Sequence, residues 1–333
     1  MEPIAFFDAK PYDQVWFDKL NTQYQIRYIG DRLSADTAHY ARGCRAAVAF
    51  VNDKVDTDAL ISLKENGVEI VLMRSAGHNN VDVACANDLG ITVTTVPDYS
   101  PHSIAEHAMA LTLALNRNIH RAYARIREFN FSLNGLNGVD MYGKTMGIIG
   151  TGRIGRVLAD ISKGFGMNVI AYDPFPNMNL GVKYVRLDEL FSASDVISLN
   201  CPLTEESRHM LSDQAFERMK PDALVINTSR GALIDSKALL KALKTGRIRG
   251  AALDVYEEES GVFFEDASWK RDRDDVLSLL IALPNVIVTS HQGFLTDEAL
   301  SGIAGSVLTS LDQFFSGSTP ESAITEKKEY AHV

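Results

Sequence analysis

Three glycines and one acidic residue form the most specific chemical pattern in this 333-residue chain. Gly150, Gly152 and Gly155 have the spacing G-x-G-x-x-G, between the apolar run TMGIIG and a helical pattern that begins at Arg153. Such a turn brings backbone N–H groups and the positive end of a helix dipole to a pyrophosphate. Asp173 follows the next apolar run, NVIAY, near the spacing at which a carboxylate binds a ribose diol and repels a 2′-phosphate. The pattern predicts a site for NAD rather than NADP.

Polar residues follow three later apolar runs, each at the point where a strand is expected to end. Arg230 follows ALVINTS, and His291 follows NVIVTS. Asp254 follows the run GAAL, and three consecutive glutamates come shortly after it. Taken alone, each such residue is more often a solvated or structural side chain than a functional one. The carboxyl ends of parallel strands share one edge of a sheet, where ligands of doubly wound folds bind. These residues are therefore candidates for chemistry beside the NAD site.

The elements that must position these residues alternate between strand and helix along most of the chain. Apolar runs separated by helical patterns indicate parallel sheets with helices on both faces. We predict an α/β fold of two doubly wound parallel-sheet domains. A Rossmann-type NAD-binding domain (residues 100–296) is inserted in a flavodoxin-like substrate domain (residues 1–99 plus 297–333). A helix beginning at Pro101, with Ser103 and Glu106 as a capping box, is apolar nearly all round and should be buried between layers or subunits.

The composition excludes several classes of function. Hydrophobic residues make up 46% of the chain, charged residues 23%, and the formal net charge is −10. This balance gives no electrostatic reason to bind nucleic acid or an anionic membrane. No apolar run approaches the length of about 18 residues that a membrane span needs, and no signal peptide is recognisable. The three cysteines are too far apart for a metal site or a disulfide framework, so we expect a cytoplasmic protein without a metal.

The sequence resembles the D-isomer-specific 2-hydroxyacid dehydrogenases, and most closely their fermentative D-lactate dehydrogenase branch. The resemblance covers nearly the whole chain and rests on several motifs in the same order and spacing: MRSAGHNNVD, VPDYSPHSIAEHA, GIIGTGRIG, SLNCPLT, INTSRGALID, LDVYEEE, GVFFED and HQGFLT. The long stretch between the glutamates and His291 is the main reason to favour the lactate branch. The resemblance implies an NAD-dependent enzyme that reduces pyruvate to D-lactate reversibly.

The resemblance also implies catalytic roles for three residues. It places the family's arginine, glutamate and histidine at Arg230, Glu259 and His291, with Glu257 and Glu258 as solvated neighbours. A protonated histidine can give a proton to a carbonyl oxygen, and a carboxylate on its other ring nitrogen favours the charged form. An arginine offers a planar, always charged fork for the substrate carboxylate.

Further binding residues are implied by the family positions. Those expected around the substrate are Ala76, Gly77, Tyr99, Phe294 and Phe50, where Phe50 would limit the substrate side chain. Those expected around NAD, besides the three glycines and Asp173, are Arg153, Ile154, Pro202, Asn227, Thr228, Ser229 and Asp254. Plain core packing is an equal alternative for Phe50.

Two other functions stay open from the sequence. A bulkier 2-keto acid, such as phenylpyruvate or 2-ketoisocaproate, could be the substrate. The same fold also serves in some relatives as an NAD-sensing corepressor, although all three catalytic positions are occupied here. The family implies a small-molecule substrate as the partner and a homodimer or homotetramer as the assembly.

Overall fold

The computed structural model describes residues 1–259 and 261–324. They form two compact units, one of Met1–Ser100 with the described residues from Leu295 onward, and one of Pro101–Phe294. Residues 325–333, which the sequence prediction assigns to the substrate domain, lie outside the described residues. The assignment of one domain to substrate and the other to NAD stays a prediction.

The first unit is built on a five-stranded parallel sheet with strand order β2-β1-β3-β4-β5. Its strands are β1 (Glu2–Phe6), β2 (Tyr24–Tyr28), β3 (Ala46–Ala49), β4 (Ile70–Met73) and β5 (Thr92–Thr94). Its helices are α1 (Pro11–Leu20), α2 (Thr57–Glu65), α3 (Val83–Asp88) and α11 (Asp297–Phe315). The order is that of flavodoxin-like folds, and it reverses between β1 and β3.

The second unit is built on a seven-stranded parallel sheet with strand order β12-β11-β10-β9-β6-β7-β8. Its strands are β6 (Thr145–Ile149), β7 (Asn168–Tyr172), β8 (Lys183–Tyr184), β9 (Val196–Leu199), β10 (Leu224–Asn227), β11 (Gly250–Leu253) and β12 (Val286–Val288). Its helices are α4 (Pro101–Asn116), α5 (Ile119–Arg127), α6 (Arg153–Gly164), α7 (Leu187–Ala193), α8 (Asp213–Arg218), α9 (Ser236–Lys244) and α10 (Asp275–Ala282). The order contains the Rossmann arrangement, which reverses at β6 and β9.

Both sheets are apolar on both faces because helices cover them. All four residues of β3, β4, β9, β10 and β11 are buried, as expected for central strands of parallel sheets. The predicted α/β class with two doubly wound parallel sheets is confirmed. The same edge of each sheet, the carboxyl ends of its strands, therefore carries the loops in which the candidate residues lie.

Helix α4 begins at Pro101 as expected, but the predicted capping box is wrong. The Ser103 hydroxyl donates a hydrogen bond to the carbonyl oxygen of Gly293 (2.6 Å), and both groups are buried. Ser103 is the third residue of α4, whereas a capping box needs it immediately before the helix, and its hydroxyl fastens α4 to the loop after β12. Of the helices in the described ranges, none combines the length and apolarity needed to cross a membrane.

Candidate active site and cofactor site

The glycine turn lies between β6 and α6, at the point where the strand order of the second unit reverses. Gly150 has φ of +91°, and a side chain there would approach the Asn200 carbonyl oxygen to 2.5 Å. A Cβ at Gly155 would lie 2.1 Å from the Gly150 carbonyl oxygen. Gly152 is the residue immediately before α6. The turn thus needs glycine at Gly150 for its backbone conformation and at Gly155 so that the helix can pack on the turn.

Asp173 follows β7 and reaches back to the glycine turn. One carboxylate oxygen accepts hydrogen bonds from the backbone N–H (2.7 Å) and the hydroxyl (2.9 Å) of Thr151, and the other accepts from the Phe175 N–H (2.8 Å). The Tyr184 hydroxyl in turn donates to the Thr151 hydroxyl (3.0 Å). Thr151 and Tyr184 did not figure in the sequence prediction, since the contact of Thr151 with Asp173 and that of Tyr184 with Thr151 depend on how β6, β7 and β8 pair.

The remaining cofactor candidates surround the same edge of the sheet. Arg153 and Pro202 are exposed and Ile154 is half-buried. The buried Asn227 side chain accepts a hydrogen bond from the Ser229 N–H (3.0 Å) and donates to the Arg230 carbonyl oxygen, so it shapes the loop after β10.

Thr228 gives the observation that best fits a bound nucleotide. It is 8% exposed, and its hydroxyl oxygen has no hydrogen-bond partner among the described residues. The amide oxygen of Asn200, at the end of β9, is buried and unpaired within the same part of the chain. Buried polar atoms are nearly always paired, so a polar ligand at this edge would satisfy both atoms.

Glu259 and His291 are brought together by the loops after β11 and β12. The Glu259 carboxylate lies 3.0 Å from His291 Nδ1, and its other oxygen accepts from the Tyr256 N–H (3.1 Å). Both side chains are about one-fifth exposed, at 21% and 19%. The pair is therefore partly shielded and open to a reactant at the same time. The Phe264 ring lies beside the His291 ring at a centroid distance of 5.7 Å, and 6.4 Å from that of Phe294.

Arg230 follows β10 at the same edge of the sheet and is half-buried. Its guanidinium donates to the carbonyl oxygen of Ser229 (2.7 Å). A Cβ on the next residue, Gly231, would lie 2.0 Å from the Tyr256 backbone. The turn that carries Arg230 therefore packs against the loop that carries Glu259, and only glycine permits that approach. The sequence prediction did not include Gly231.

Asp254 supports the turn on which His291 lies. Its carboxylate accepts from the Thr289 hydroxyl (2.5 Å) and the N–H groups of Gln292 (2.9 Å) and Gly293 (2.8 Å), and lies 3.2 Å from His107 Nε2. Burial raises the pKa of this carboxyl, but the hydrogen bonds from His107 and Thr289 outweigh burial and leave the pKa below its ordinary value. A charged Asp254 is thus available to hold the turn.

Glu257 corrects one expectation. The sequence prediction made it a solvated neighbour of Glu259, yet it accepts from Arg208 (2.8 Å) and pairs with His209 Nε2 (2.7 Å). Its side chain is only 15% exposed. Both partners lie on the segment between β9 and α8, about fifty positions away in the chain, so no local pattern announces them. Glu258 is exposed.

The substrate candidates of the first unit lie in loops after β3, β4 and β5. Ala76 and Gly77 are half-buried, and the Ser75 hydroxyl donates to the Gly77 carbonyl oxygen (2.7 Å). Tyr99 is half-buried, whereas Phe50 is 4% exposed. The loops that carry Phe50 and Ala76 are tied together, since the Asn80 side chain donates to the Phe50 carbonyl oxygen (2.9 Å).

A dinucleotide turn and a histidine–carboxylate pair on one Rossmann sheet define a pyridine-nucleotide dehydrogenase. The family model described as "D-isomer specific 2-hydroxyacid dehydrogenase, NAD binding domain" matches residues 109–293. The chain belongs to the D-isomer-specific 2-hydroxyacid dehydrogenases and uses NAD. The predicted family, enzyme class and cofactor are confirmed, whereas the roles of individual residues stay predictions.

Similar proteins cover this chain almost completely. It is 47% identical to a D-lactate dehydrogenase of Escherichia coli (strain K12) over 321 residues, which cover 95% of this chain and 98% of that protein. The solved apo structure of D-lactate dehydrogenase from Escherichia coli superposes with a TM-score of 0.89 at 44% identity, covering 97% of this chain and 100% of that chain. The pyruvate reductase of Chlamydomonas reinhardtii gives 0.90 at 39% identity, covering 96% and 98%.

Proposed function

We propose that this enzyme reduces pyruvate to D-lactate with NADH, in the balance pyruvate + NADH + H⁺ → D-lactate + NAD⁺. The observation that carries the proposal is the contact between His291 Nδ1 and the Glu259 carboxylate, 3.0 Å apart on the sheet that carries the dinucleotide turn. The D-lactate dehydrogenase of Escherichia coli and the pyruvate reductase of Chlamydomonas reinhardtii support the choice of substrate.

His291 is the proposed acid. Its Nδ1 faces Glu259, so its Nε2 is the nitrogen that gives the proton to the carbonyl oxygen of the substrate. The Glu259 carboxylate, 3.0 Å from Nδ1, fixes the orientation of the ring. NADH, when bound at the glycine turn, supplies the hydride for the carbonyl carbon.

Arg230 is the proposed anchor of the substrate carboxylate. A guanidinium has five N–H donors, so the one hydrogen bond to the Ser229 carbonyl oxygen is compatible with a bidentate contact to a carboxylate. Ala76 and Gly77 are proposed to add backbone N–H donors, and Phe50, Tyr99 and Phe294 to enclose the substrate.

The cofactor residues are proposed in the same terms. The Gly150–Gly155 turn, with Arg153 and Ile154, would hold the pyrophosphate at the start of α6, and Asp173 would accept hydrogen bonds from the adenosine ribose. The remaining proposed contacts are those of Pro202, Asn227, Thr228, Ser229 and Asp254. Among them, Thr228 offers a buried hydroxyl that has no partner within the described ranges.

We further propose a cytoplasmic homo-oligomer. The cytoplasmic location is supported by three cysteines that are free of disulfides in the described chain. Oligomerisation is supported by a row of exposed apolar side chains on and after α5, which a partner subunit would cover.

The test is NADH consumption with a panel of 2-keto acids, followed by chiral separation of the product, for the wild type and for His291→Gln. We expect pyruvate to be the best substrate, D-lactate to be the product, and the variant to lose activity by a factor of about 10² to 10⁴, the usual contribution of a general acid. A preference for phenylpyruvate or 2-ketoisocaproate would keep the acid–base pair and reject pyruvate. Full activity of His291→Gln would reject the assignment of the acid.

A further inference from the structure

The first unit buries an arginine at the point where its strand order reverses. Arg74 follows β4, is 1% exposed, and is the largest of the fully buried side chains. Its neighbours Asp8 and Phe50 follow β1 and β3, the two strands between which the order reverses. Ligands of doubly wound sheets bind outside the carboxyl ends of such strands. A charged side chain thus lies buried beside the position at which a ligand is expected.

The guanidinium of Arg74 is fixed by oxygen atoms on two sides. One terminal nitrogen lies 3.1 Å and 3.3 Å from the two carboxylate oxygens of Asp13, and the other donates to the backbone carbonyl oxygen of Asp8 (2.7 Å). The Asp8 side chain is fully buried and pairs with Lys10 (2.8 Å). Burial raises the pKa of Asp13, while the charge of Arg74 acts in the opposite direction. The cluster therefore holds the guanidinium in one place and one plane.

The guanidinium of Arg74 packs against the ring of Phe50. The guanidinium carbon of Arg74 lies 4.2 Å from the centroid of the Phe50 ring, a close cation–π contact. The Phe50 N–H donates to the Asp53 carboxylate (2.5 Å), and the Phe50 carbonyl oxygen accepts from Asn80 (2.9 Å). The ring of Phe50 therefore contacts Arg74, its N–H contacts Asp53, and its carbonyl oxygen contacts Asn80.

Stability alone does not explain this arrangement. A buried ion pair seldom stabilises a fold more than apolar side chains of similar volume would, because removing the charges from water is costly. The backbone N–H of Arg74 also donates to the carbonyl oxygen of Ala49 (2.9 Å), the residue before Phe50. Arg74 in addition lies two positions before Ala76. It therefore connects, through backbone and side chain, the two loops proposed to contact the substrate.

We propose that Arg74 is a positioning residue that fixes the Phe50 ring and thereby sets the size of the 2-keto acid side chain that the enzyme accepts. The inference rests on the proposed function, because it needs a 2-keto acid beside Phe50. Arg74 acts through Phe50 and has no contact of its own with the reacting atoms in this account. Lysine is a poor substitute, because an ammonium group has no plane to stack on the ring and cannot reach two partners in the same way.

The experiment measures kcat/KM for pyruvate, 2-oxobutyrate and phenylpyruvate in the wild type and in Arg74→Lys, together with the dissociation constant of NADH. We expect the preference for pyruvate over phenylpyruvate to fall about tenfold in the variant, the scale of a lost buried cation–π contact. The NADH dissociation constant should change less than twofold, which a general loss of structure would not allow.

Arg45→Lys is the matched control. Arg45 also combines an ion pair, with Glu69 (2.8 Å), and a ring contact, with Phe315 (5.1 Å), but its side chain is 47% exposed. This variant should keep the wild-type preference. A double variant tests whether Arg74 acts through Phe50. Adding Arg74→Lys to Phe50→Leu should shift the preference little further, because the ring through which Arg74 acts is gone.

Asp13→Asn covers the case in which Arg74→Lys does not fold. It leaves Arg74 in place and removes the charge that fixes it, so the preference should fall in the same direction by a smaller factor. An unchanged preference in both Arg74→Lys and Asp13→Asn, with the wild type active on pyruvate, would overturn this inference alone. A wild type that reduces none of the three acids would overturn the proposed function as well.

Discussion

At the scale of single residues, Glu259 is the proposed partner of the proposed acid, His291. Its carboxylate faces His291 and is held by the Tyr256 N–H. Replacing the carboxylate therefore removes the group that holds Nδ1 of His291 and orients its ring.

We predict that Glu259→Gln lowers kcat/KM for pyruvate reduction by about 10²-fold, the lower end of the usual contribution of a general acid, because the carboxylate that holds Nδ1 of His291 is lost. The measurement is kcat/KM for pyruvate at one pH. Glu258→Gln, one residue earlier and exposed, should keep the wild-type kcat/KM. An unchanged kcat/KM in Glu259→Gln would mean that another group orients His291.

The sequence did not by itself select Glu259. Three consecutive glutamates follow β11, and only the family resemblance chose the third. The structure gives the physical difference: Glu259 faces His291, Glu257 pairs with Arg208 and His209, and Glu258 is exposed. These contacts depend on loops that are far apart in the chain, so residue type and spacing could not distinguish the three.

At the scale of elements, local patterns predicted what local structure determines. The glycine turn could be predicted because strand, turn and helix are consecutive, and its φ and packing demands act over six residues, Gly150 to Gly155. The contact between His107 and Asp254, which supports the His291 turn, could not be predicted in this way, because His107 on α4 is 147 residues from Asp254. The capping box at Ser103 is wrong because α4 begins two residues earlier, at Pro101, which places Ser103 inside the helix.

The loop after β3 carries a buried carboxyl whose titration can be followed. Asp53 is 2% exposed, and its pKa is raised from 3.8 to about 6 by burial, against the opposing hydrogen bond from the Phe50 N–H and the charge of Arg74. The folded protein therefore binds this proton more tightly than the unfolded chain does. As the pH falls from about 6 to about 4, protonation of Asp53 therefore increases the free energy of unfolding. Above about pH 6 this contribution is absent.

We predict that on acidification from pH 6.5 to 4.5 the wild type gains up to about 2 kcal/mol of unfolding free energy relative to Asp53→Asn. Denaturant unfolding at both pH values gives the difference. Asp82→Asn is a control that should show no such gain, because hydrogen bonds from the Cys85 N–H and the Thr57 hydroxyl hold the pKa of Asp82 below its ordinary value of 3.8, so this carboxyl stays ionised over the whole range. A wild type that loses stability relative to Asp53→Asn over this range would contradict the raised pKa of the buried Asp53 carboxyl.

At the scale of the whole molecule, the two sheets followed from the alternation of strands and helices, since each strand–helix unit is encoded locally. The oligomeric assembly did not follow from that alternation. Apolar residues are exposed on α5 and in the segment that follows it: Ile119, Tyr123 and Ile126, then Phe129, Phe131 and Leu133, which are 52–87% exposed. The three residues of α5 share one face by their spacing, and the rings of Phe129 and Phe131 lie 6.2 Å apart. Monomeric proteins rarely expose large apolar patches. Composition does not reveal it, because the sequence of α5 also carries arginines and a histidine.

We predict that the enzyme is a homodimer or a homotetramer, and that Ile126→Glu combined with Phe129→Glu shifts it to the monomer. Two charges buried against a partner surface would cost several kcal/mol, enough to dissociate an interface of ordinary size. Light scattering at several protein concentrations gives the mass. Val15→Glu, at an apolar residue of α1 that is 62% exposed, serves as the matched surface change and should leave the mass unaltered. A wild type that is monomeric at all concentrations, or a double variant that keeps the wild-type mass, would show that this patch is covered by something other than a second copy of the chain.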